Sequence, residues 1–131
     1  MNELTHINLI AAWAGLLLGA LSGLGLGMGF HRADFMGGYG SHKRRLYRLG
    51  HISFFGLGAI NGFFWLTVSI AKVQAPLIQS ASIALLVGAV AMPLCCLLMA
   101  HQPKARLVFS IPVVAIVYGT AATLQTLWVT T

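Results

Sequence analysis

The sequence predicts an all-α integral membrane protein whose four transmembrane helices form an up-down bundle. Its 131 residues are 58% hydrophobic and only 8% charged, whereas about 25% of the residues in a soluble domain are charged. The apolar residues also fall into four segments of the roughly 20 residues that a helix needs to cross a hydrocarbon core of about 30 Å. These segments lie at 8–29, 52–71, 77–100 and 107–128 and make a single domain over 1–131.

The positions of the positive charges predict the orientation of the helices. Five of the eight Lys and Arg residues lie in the basic loop 31–50, and Lys104 and Arg106 lie between the third and fourth segments. Only Lys72 falls on the other side. The positive-inside rule therefore predicts N-out, C-out topology, and we expect a bacterial inner membrane. With this placement, the net charge of +6 predicts contact with membrane lipid and excludes a nucleic-acid partner.

The first segment carries a stripe of small residues, with a glycine at every fourth position: Gly15, Gly19, Gly23 and Gly27. In lipid, this spacing is typical of close contact between two helices. A planar cofactor would fit against the same flat face. The stripe therefore predicts helix packing within the chain, a docking face for another subunit or a second copy, or a cofactor face, and the pattern alone does not separate them.

The basic loop 31–50 has a glycine-rich part, 34–40, followed by a basic part. We expect the basic part, 41–49, to lie as a short amphipathic helix on the inner leaflet. One interpretation is that the loop only sets topology. The alternative is that it binds an anionic group, such as a lipid headgroup or the propionates of a haem, through Arg44, Arg45 and Arg48.

The second and third segments carry polar and sulfur-containing side chains at membrane depth. Asn61 stands near mid-membrane, where an unpaired amide costs several kcal/mol, so we expect it to bond to a neighbouring helix. Met92, Cys95 or Cys96, and Met99 share one face of the third segment. Sulfur ligands suit Cu(I), so copper is an alternative, less favoured than ordinary apolar packing.

The fourth segment carries hydroxyl side chains and Gln125, which we expect to bond to the backbone or to neighbours. No Asp, Glu, Lys or Arg stands in the middle of any of the four segments. Pumps and proton-coupled transporters place ionisable groups there, so the pattern argues against active transport. No Ser/His/Asp arrangement supports a hydrolase, and the sequence leaves open whether the chain is an enzyme.

Three of the five histidines are predicted to lie at one depth. His31 ends the first helix, His51 begins the second and His101 ends the third. In an up-down bundle the second helix neighbours both of the others. His51 with His31, or His51 with His101, would therefore converge on a haem iron or another metal, because neutral imidazole is a common axial ligand. The alternative is an interfacial role, in which the polar edge of each ring reaches water.

The opening of the chain resembles a known family over about its first 50 residues. The motifs are His6-Ile-Asn-Leu-Ile-Ala-Ala-Trp-Ala-Gly-Leu, a histidine after the helix, and the basic run Lys-Arg-Arg-Leu-Tyr-Arg from position 43. They are similar to the small membrane protoporphyrinogen oxidases, which are haem-binding helical proteins. By that resemblance His6 matches a haem-associated histidine. The arginine within the family's first helix and its later Trp-Leu-His-x-Lys pattern are not present here.

Two functional hypotheses follow from these patterns. The first is a protein that binds or handles haem b near the cytoplasmic face, with histidine ligands and arginines that neutralise the propionates. The second is a non-catalytic subunit or assembly factor of a larger, respiratory-type membrane complex, with the glycine stripe as its docking face.

Overall fold

The chain forms four long α-helices in the computed structural model, which describes residues 3–73 and 76–130. The helices are α1 (Glu3–Gly29), α2 (His42–Ala71), α3 (Pro76–His101) and α4 (Ser110–Thr130), and two 3-10 segments lie in the connections at Phe35–Gly37 and Pro103–Phe109. All four helices are long and apolar enough to cross a membrane. The prediction of four apolar spans is therefore confirmed.

The second helix begins ten residues before the predicted span. Residues 41–49 do not form a separate amphipathic helix, so that prediction is wrong: they cap and begin α2. The hydroxyl of Ser41 accepts a hydrogen bond from the backbone N–H of Arg44 at 3.1 Å and caps the helix. Lys, Arg and Leu are good helix formers, so the helix continues through the basic residues to its C-cap at Lys72.

The other boundaries differ from the prediction by smaller amounts. α1 already begins at Glu3, and α4 begins at Ser110. The residues just before α4 form a 3-10 segment that opens with Pro103. Proline suits a first helical position because it has no N–H to leave unpaired.

Consecutive helices are the main packing partners. α1 packs on α2, α2 on α3, and α3 on α4, while α1 makes a smaller contact with α3. Within the described residues, α1 and α4 do not form a packed pair. The helices therefore make an open arrangement with α1 and α4 on its two flanks. We call the end where α1 ends, α2 begins and α3 ends the basic end, and the opposite end the far end.

The apolar core lies towards the far end. It joins the last turns of α2, the first turns of α3 and the middle of α4, and its buried members are Phe64, Val68, Val73, Ile78, Ala81, Leu85 and Ala122. Many large apolar side chains of α1 and α4 are instead exposed, including Trp13, Leu24 and Trp128. Outward-facing apolar side chains are what a lipid environment requires.

A buried polar cluster of Asn8, Asn61 and Ser82 joins three helices, and all three residues have no exposed surface. The Asn8 amide on α1 donates to the Asn61 side-chain oxygen on α2 at 2.7 Å. The Ser82 hydroxyl on α3 donates to the Asn8 side-chain oxygen. Asn61 also donates to the Leu57 carbonyl in its own helix at 2.8 Å. The amide of Asn61 thus has a partner on a neighbouring helix.

The glycine stripe of α1 lies against α2. A Cβ on Gly15 would stand 2.8 Å from the carbonyl oxygen of Phe54 and 3.0 Å from the Cα of Gly58, so the two backbones meet here. One turn later, a Cβ on Gly19 would collide with the ring of Phe55 at 2.8 Å. Gly27 is different, because a Cβ there would meet nothing within 4 Å. The contact with α2 therefore does not extend to Gly27.

Candidate functional site

A cavity of about 300 Å³ opens at the basic end between α1, α2 and α3. We call it the basic-end cavity. Most of its lining is apolar, and three side chains, those of Ser22, Tyr47 and His51, are polar. The lining residues are Ser22, Gly25, Leu26, Phe35, Met36, Tyr47, Gly50, His51, Phe54, Pro93 and Leu97.

The loop between α1 and α2 forms one wall of this cavity. The Phe35 ring lies directly over Gly29, where a Cβ would collide with the ring, and it meets the Phe30 ring edge-on at a centroid distance of 6.4 Å. These contacts fold the loop back onto the end of α1. Phe35 and its neighbour Met36 consequently both line the cavity.

Met36 has a left-handed backbone, with φ 54° and ψ 31°. Such a conformation is uncommon for a residue other than Gly, Asn or Asp. The Ser41 hydroxyl donates to the Met36 carbonyl at 2.6 Å, which ties the loop to the start of α2. The next two residues, Gly37 and Gly38, have φ values of 85° and 89°. Three consecutive residues of this turn therefore have positive φ values. The first of them, Met36, lines the cavity.

The ring of His51 is oriented by Ser22. Nδ1 of His51 lies 3.0 Å from the Ser22 hydroxyl oxygen, and that hydroxyl donates to the carbonyl of Gly19 at 3.1 Å. The Ser22 side chain on α1 therefore holds the imidazole through one of its two ring nitrogens.

Gly23 makes the position of the His51 ring possible. A Cβ at Gly23 would stand 2.7 Å from Cε1 and 3.3 Å from Nε2 of the ring. The ring of Phe55, one turn along α2, meets the imidazole edge-on at a centroid distance of 5.4 Å. The imidazole is thus packed between two helices and partly buried, with its nitrogen-bearing edge towards α1.

The other histidines have separate surroundings. Nε2 of His101 pairs with the Tyr47 hydroxyl at 2.9 Å, and the two rings meet edge-on. His31 is exposed in the loop, and His6 is exposed near the far end of α1. His51 faces Ser22 and Gly23 on α1, whereas His101 contacts Tyr47. His51 and His101 therefore have different hydrogen-bond partners, and their pairing around one metal ion stays a prediction.

No three-ligand metal site is assembled either. Within residues 3–73 and 76–130, no group of three His, Cys, Asp or Glu side chains is placed to hold a metal ion. The Cys95 thiol lies 3.6 Å from the carbonyl of Val108. The next thiol in sequence, Cys96, packs instead against Gly50 on α2. The two adjacent cysteines therefore have different neighbours, and copper binding by one of them with Met92 and Met99 stays a prediction.

The three arginines assigned to propionates do not line the cavity. The Arg44 guanidinium is buried over the rings of Phe30 and Tyr39, at 4.8 Å and 5.1 Å from their centroids. Arg48 lies over the same Tyr39 ring at 5.6 Å, and Arg45 donates to a loop carbonyl. Cation–π contacts of this kind fasten the loop to α2. The basic-end cavity has no Lys or Arg among its lining residues.

An apolar groove continues from the cavity towards the middle of the bundle. It has a volume of about 330 Å³ and runs between α1 and α3 over α2. Phe54, Pro93 and Leu97 line both spaces. The groove and the cavity are therefore adjacent. The lining of the groove is apolar, and the polar side chains lie in the cavity at the basic end.

Three cavity residues were not identified from the sequence. Tyr47 stands one turn before His51 on α2, and Ser22 stands beside Gly23 in the stripe, so both have sequence signals that could have been used. Met36 has none, because its place depends on the path of the loop. Comparison of the chain with family models, with curated proteins and with solved structures finds no match. The function is therefore argued from geometry.

Proposed function

We propose that this chain is an integral membrane protein that binds haem b at the basic end, with His51 as an iron ligand. The observation that supports the proposal is the contact between His51 and Ser22. Nδ1 of His51 lies 3.0 Å from the Ser22 hydroxyl oxygen, so a side chain on α1 orients the imidazole ring on α2. Histidine ligands of metals are commonly held in this way, by a hydrogen bond from the other ring nitrogen.

The cavity has the general properties of a small-molecule site. Small-molecule sites have volumes of about 300 to 1,000 Å³ and mostly apolar linings with a few polar groups, and the cavity and the adjoining groove meet both conditions. Gly25 in the α1 wall adds no side chain, and a Cβ there would meet nothing within 4 Å. A planar ligand has room against this wall.

The side chains around the cavity have distinct roles in this proposal. Ser22 fixes the orientation of the His51 ring, and the rings of Phe35 and Phe54 would exclude water from the bound group. No cation lines the cavity, so we expect the propionates to be solvated at the basic end. Bound haem would supply one-electron redox chemistry.

The basic end is proposed to face the cytoplasm. Seven of the eight Lys and Arg residues lie at that end, and only Lys72 lies at the far end. The positive-inside rule then gives both termini outside. The lipophilic ligand would enter from the inner half of the membrane.

An absorption spectrum of the purified protein tests the haem proposal. The chain is expressed with haem supplied, purified in detergent and scanned for a Soret band. We expect a band in the wild type and a band at least tenfold weaker in His51→Ala, with His31→Ala and His101→Ala as matched controls that keep it. Circular dichroism confirms that each variant is helical. A wild-type protein without a Soret band contradicts the proposal.

The alternative of a complex subunit has less support. Gly15, Gly19 and Gly23 are covered by α2 of the same chain, so this part of the stripe is not available as a docking face for another protein, whereas Gly27 is open. The haem proposal uses the same glycines without conflict, because Gly23 accommodates the His51 ring.

A further inference from the structure

We infer that the start of α2 binds the phosphate group of an anionic membrane lipid, with the buried guanidinium of Arg44 as the main donor and that of Arg48 beside it. This site is separate from the basic-end cavity, because neither arginine lines that cavity. It needs no haem, and it would fix the basic end of the protein to the headgroups of one leaflet.

Arg44 is a charged residue with only 5% of its surface exposed. Its Nε atom is buried and has no hydrogen-bond partner among the described residues. The rings of Phe30 and Tyr39 attract the positive charge, but a ring face is a weak substitute for an oxygen acceptor. Buried charges in proteins are normally paired and hydrogen-bonded, since removing them from water costs several kcal/mol each. The Arg44 guanidinium therefore favours an anion with oxygen acceptors.

Arg48 brings a second positive charge to the same place. Its Cζ lies 5.6 Å from the centroid of the Tyr39 ring, and the Cζ of Arg44 lies 5.1 Å from the same centroid. The two arginines are four residues apart on α2 and so share one face of the helix, where like charges repel. Guanidinium groups match the oxygens of a phosphate, which accepts from both at once. A phosphate here removes the repulsion.

The Tyr39 ring covers both guanidinium groups from the loop side. Tyr39 is itself 71% exposed, and it stands between Gly38 and Gly40, which give the backbone freedom on both sides. In this proposal the ring turns aside when the ligand arrives. One movement then opens Arg44 and Arg48 together.

The chain does not supply the negative charge itself. Of the two acidic residues in the sequence, Glu3 begins α1 at the far end, and Asp34 pairs with Arg32 at 3.6 Å. The first turn of α2 contains no acidic residue, although the N-terminus of a helix carries a partial positive charge. The helix terminus and the arginines therefore attract an anion from outside the chain.

The depth of the site favours a lipid as the source of the phosphate. The Arg44 Cζ lies 4.8 Å from the ring centroid of Phe30, the first residue after the apolar segment 8–29. In the membrane arrangement proposed above, the guanidinium is then close to the edge of the hydrocarbon core. Headgroups occupy roughly 5–8 Å on each side of that core. Basic residues at this level attract anionic lipids of the inner leaflet.

The test is native mass spectrometry of the full chain, expressed without added haem and titrated in detergent with phosphatidylglycerol or phosphatidylcholine. We expect the wild type to bind phosphatidylglycerol more tightly, because the choline cation of the other lipid opposes the arginines. Arg44→Gln should weaken phosphatidylglycerol binding about tenfold or more, since it removes charge-assisted hydrogen bonds. Arg106→Gln is the matched control: it removes the same charge from an exposed position at the same end, and binding should stay within about twofold.

A second variant keeps the idea testable if Arg44→Gln does not fold. Arg48→Gln leaves the buried residue in place and should weaken phosphatidylglycerol binding about two- to fivefold. Circular dichroism checks that each variant is helical. A loss in Arg44→Gln and Arg48→Gln no greater than in Arg106→Gln would overturn the site, because net charge alone would then hold the lipid.

Two further results decide the nature of the ligand. Equal binding of the two lipids by the wild type would overturn the preference for an anionic lipid. Inorganic phosphate, added as a competitor, should displace phosphatidylglycerol only weakly because it lacks acyl chains, and complete displacement would overturn the lipid as the source of the phosphate. None of these readouts involves a Soret band, so the site and the haem proposal stand or fall separately.

Discussion

The side-chain amide of Asn8 donates a hydrogen bond to the side-chain oxygen of Asn61 at 2.7 Å, across the contact between α1 and α2. Neither residue has exposed surface. A buried amide that loses its partner keeps its desolvation cost, about 1–3 kcal/mol. Because Ser82 joins the same cluster from α3, this pair helps set the register of three helices.

Replacing Asn61 by Ala is expected to destabilise the fold by about 1–3 kcal/mol, because the amide of Asn8 then loses its closest partner. The measurement is denaturant unfolding in detergent micelles, followed by circular dichroism. Thr120→Ala is the matched control, since its exposed hydroxyl bonds only to carbonyls of its own helix. A double-mutant cycle with Asn8→Ala should give a coupling of about 0.6–1.7 kcal/mol, and a coupling of zero would contradict the interaction.

The glycines of α1 are expected to differ in their tolerance of alanine. Gly15→Ala should destabilise by about 1–3 kcal/mol, because its Cβ would stand 2.8 Å from a backbone oxygen of Phe54. Gly27→Ala should be neutral or stabilising by up to about 1 kcal/mol, since Ala is the better helix former and the space is open. Thermal unfolding of both variants compares them directly. An equal change in stability for Gly15→Ala and Gly27→Ala would contradict the contact between α1 and α2 at Gly15.

Ser22→Ala is expected to weaken haem binding 10- to 100-fold, because groups that orient a metal-bound histidine typically contribute that much. Titration of the haem-free protein with haem measures the change. Ser53→Ala is the control, since Ser53 lies two residues after His51 on α2 and its hydroxyl donates to the carbonyl of Gly50. An unchanged affinity for haem in Ser22→Ala would show that the hydrogen bond between Ser22 and His51 does not contribute to haem binding.

Tyr47→Phe is expected to leave the Soret band and the spin state of the iron unchanged. The Tyr47 hydroxyl pairs with His101 and not with His51, and the variant keeps the aromatic ring in the cavity wall. The contact is exposed, so the cost in stability should be within about 1 kcal/mol. A weaker Soret band in Tyr47→Phe would indicate that His101 contributes to the haem site and would support the histidine pair expected from the sequence.

Hydropathy was sufficient to find the four helices but not their boundaries. It marks apolar segments, and α2 extends through ten residues that include His42, Lys43 and Arg44. The helix begins where Ser41 caps it, so capping chemistry would have been the better guide to the boundary. The glycines at every fourth position correctly indicated that the backbone of another helix lies close to α1. The spacing does not identify which helix it is.

The partners of the polar side chains could be predicted only in part from the sequence. The rule that an amide in an apolar helix needs a partner applied to Asn61, and applied equally to Asn8, which stands at the edge of the predicted span. The histidines were assigned a common depth, but depth does not fix the direction of a side chain. Rotation about each helix axis takes His51 towards Ser22 and His101 towards Tyr47, and that rotation depends on packing that one sequence does not display.

The open arrangement of the helices has a consequence for biogenesis. Each helix packs chiefly on the one synthesised just before it, so native contacts become available in the order in which the ribosome releases the chain, and few of them must wait for a distant segment. The basic-end cavity is lined only by α1, the first loop, α2 and α3. Its walls are therefore complete before α4 has been synthesised, so the cavity does not have to wait for the last helix to form.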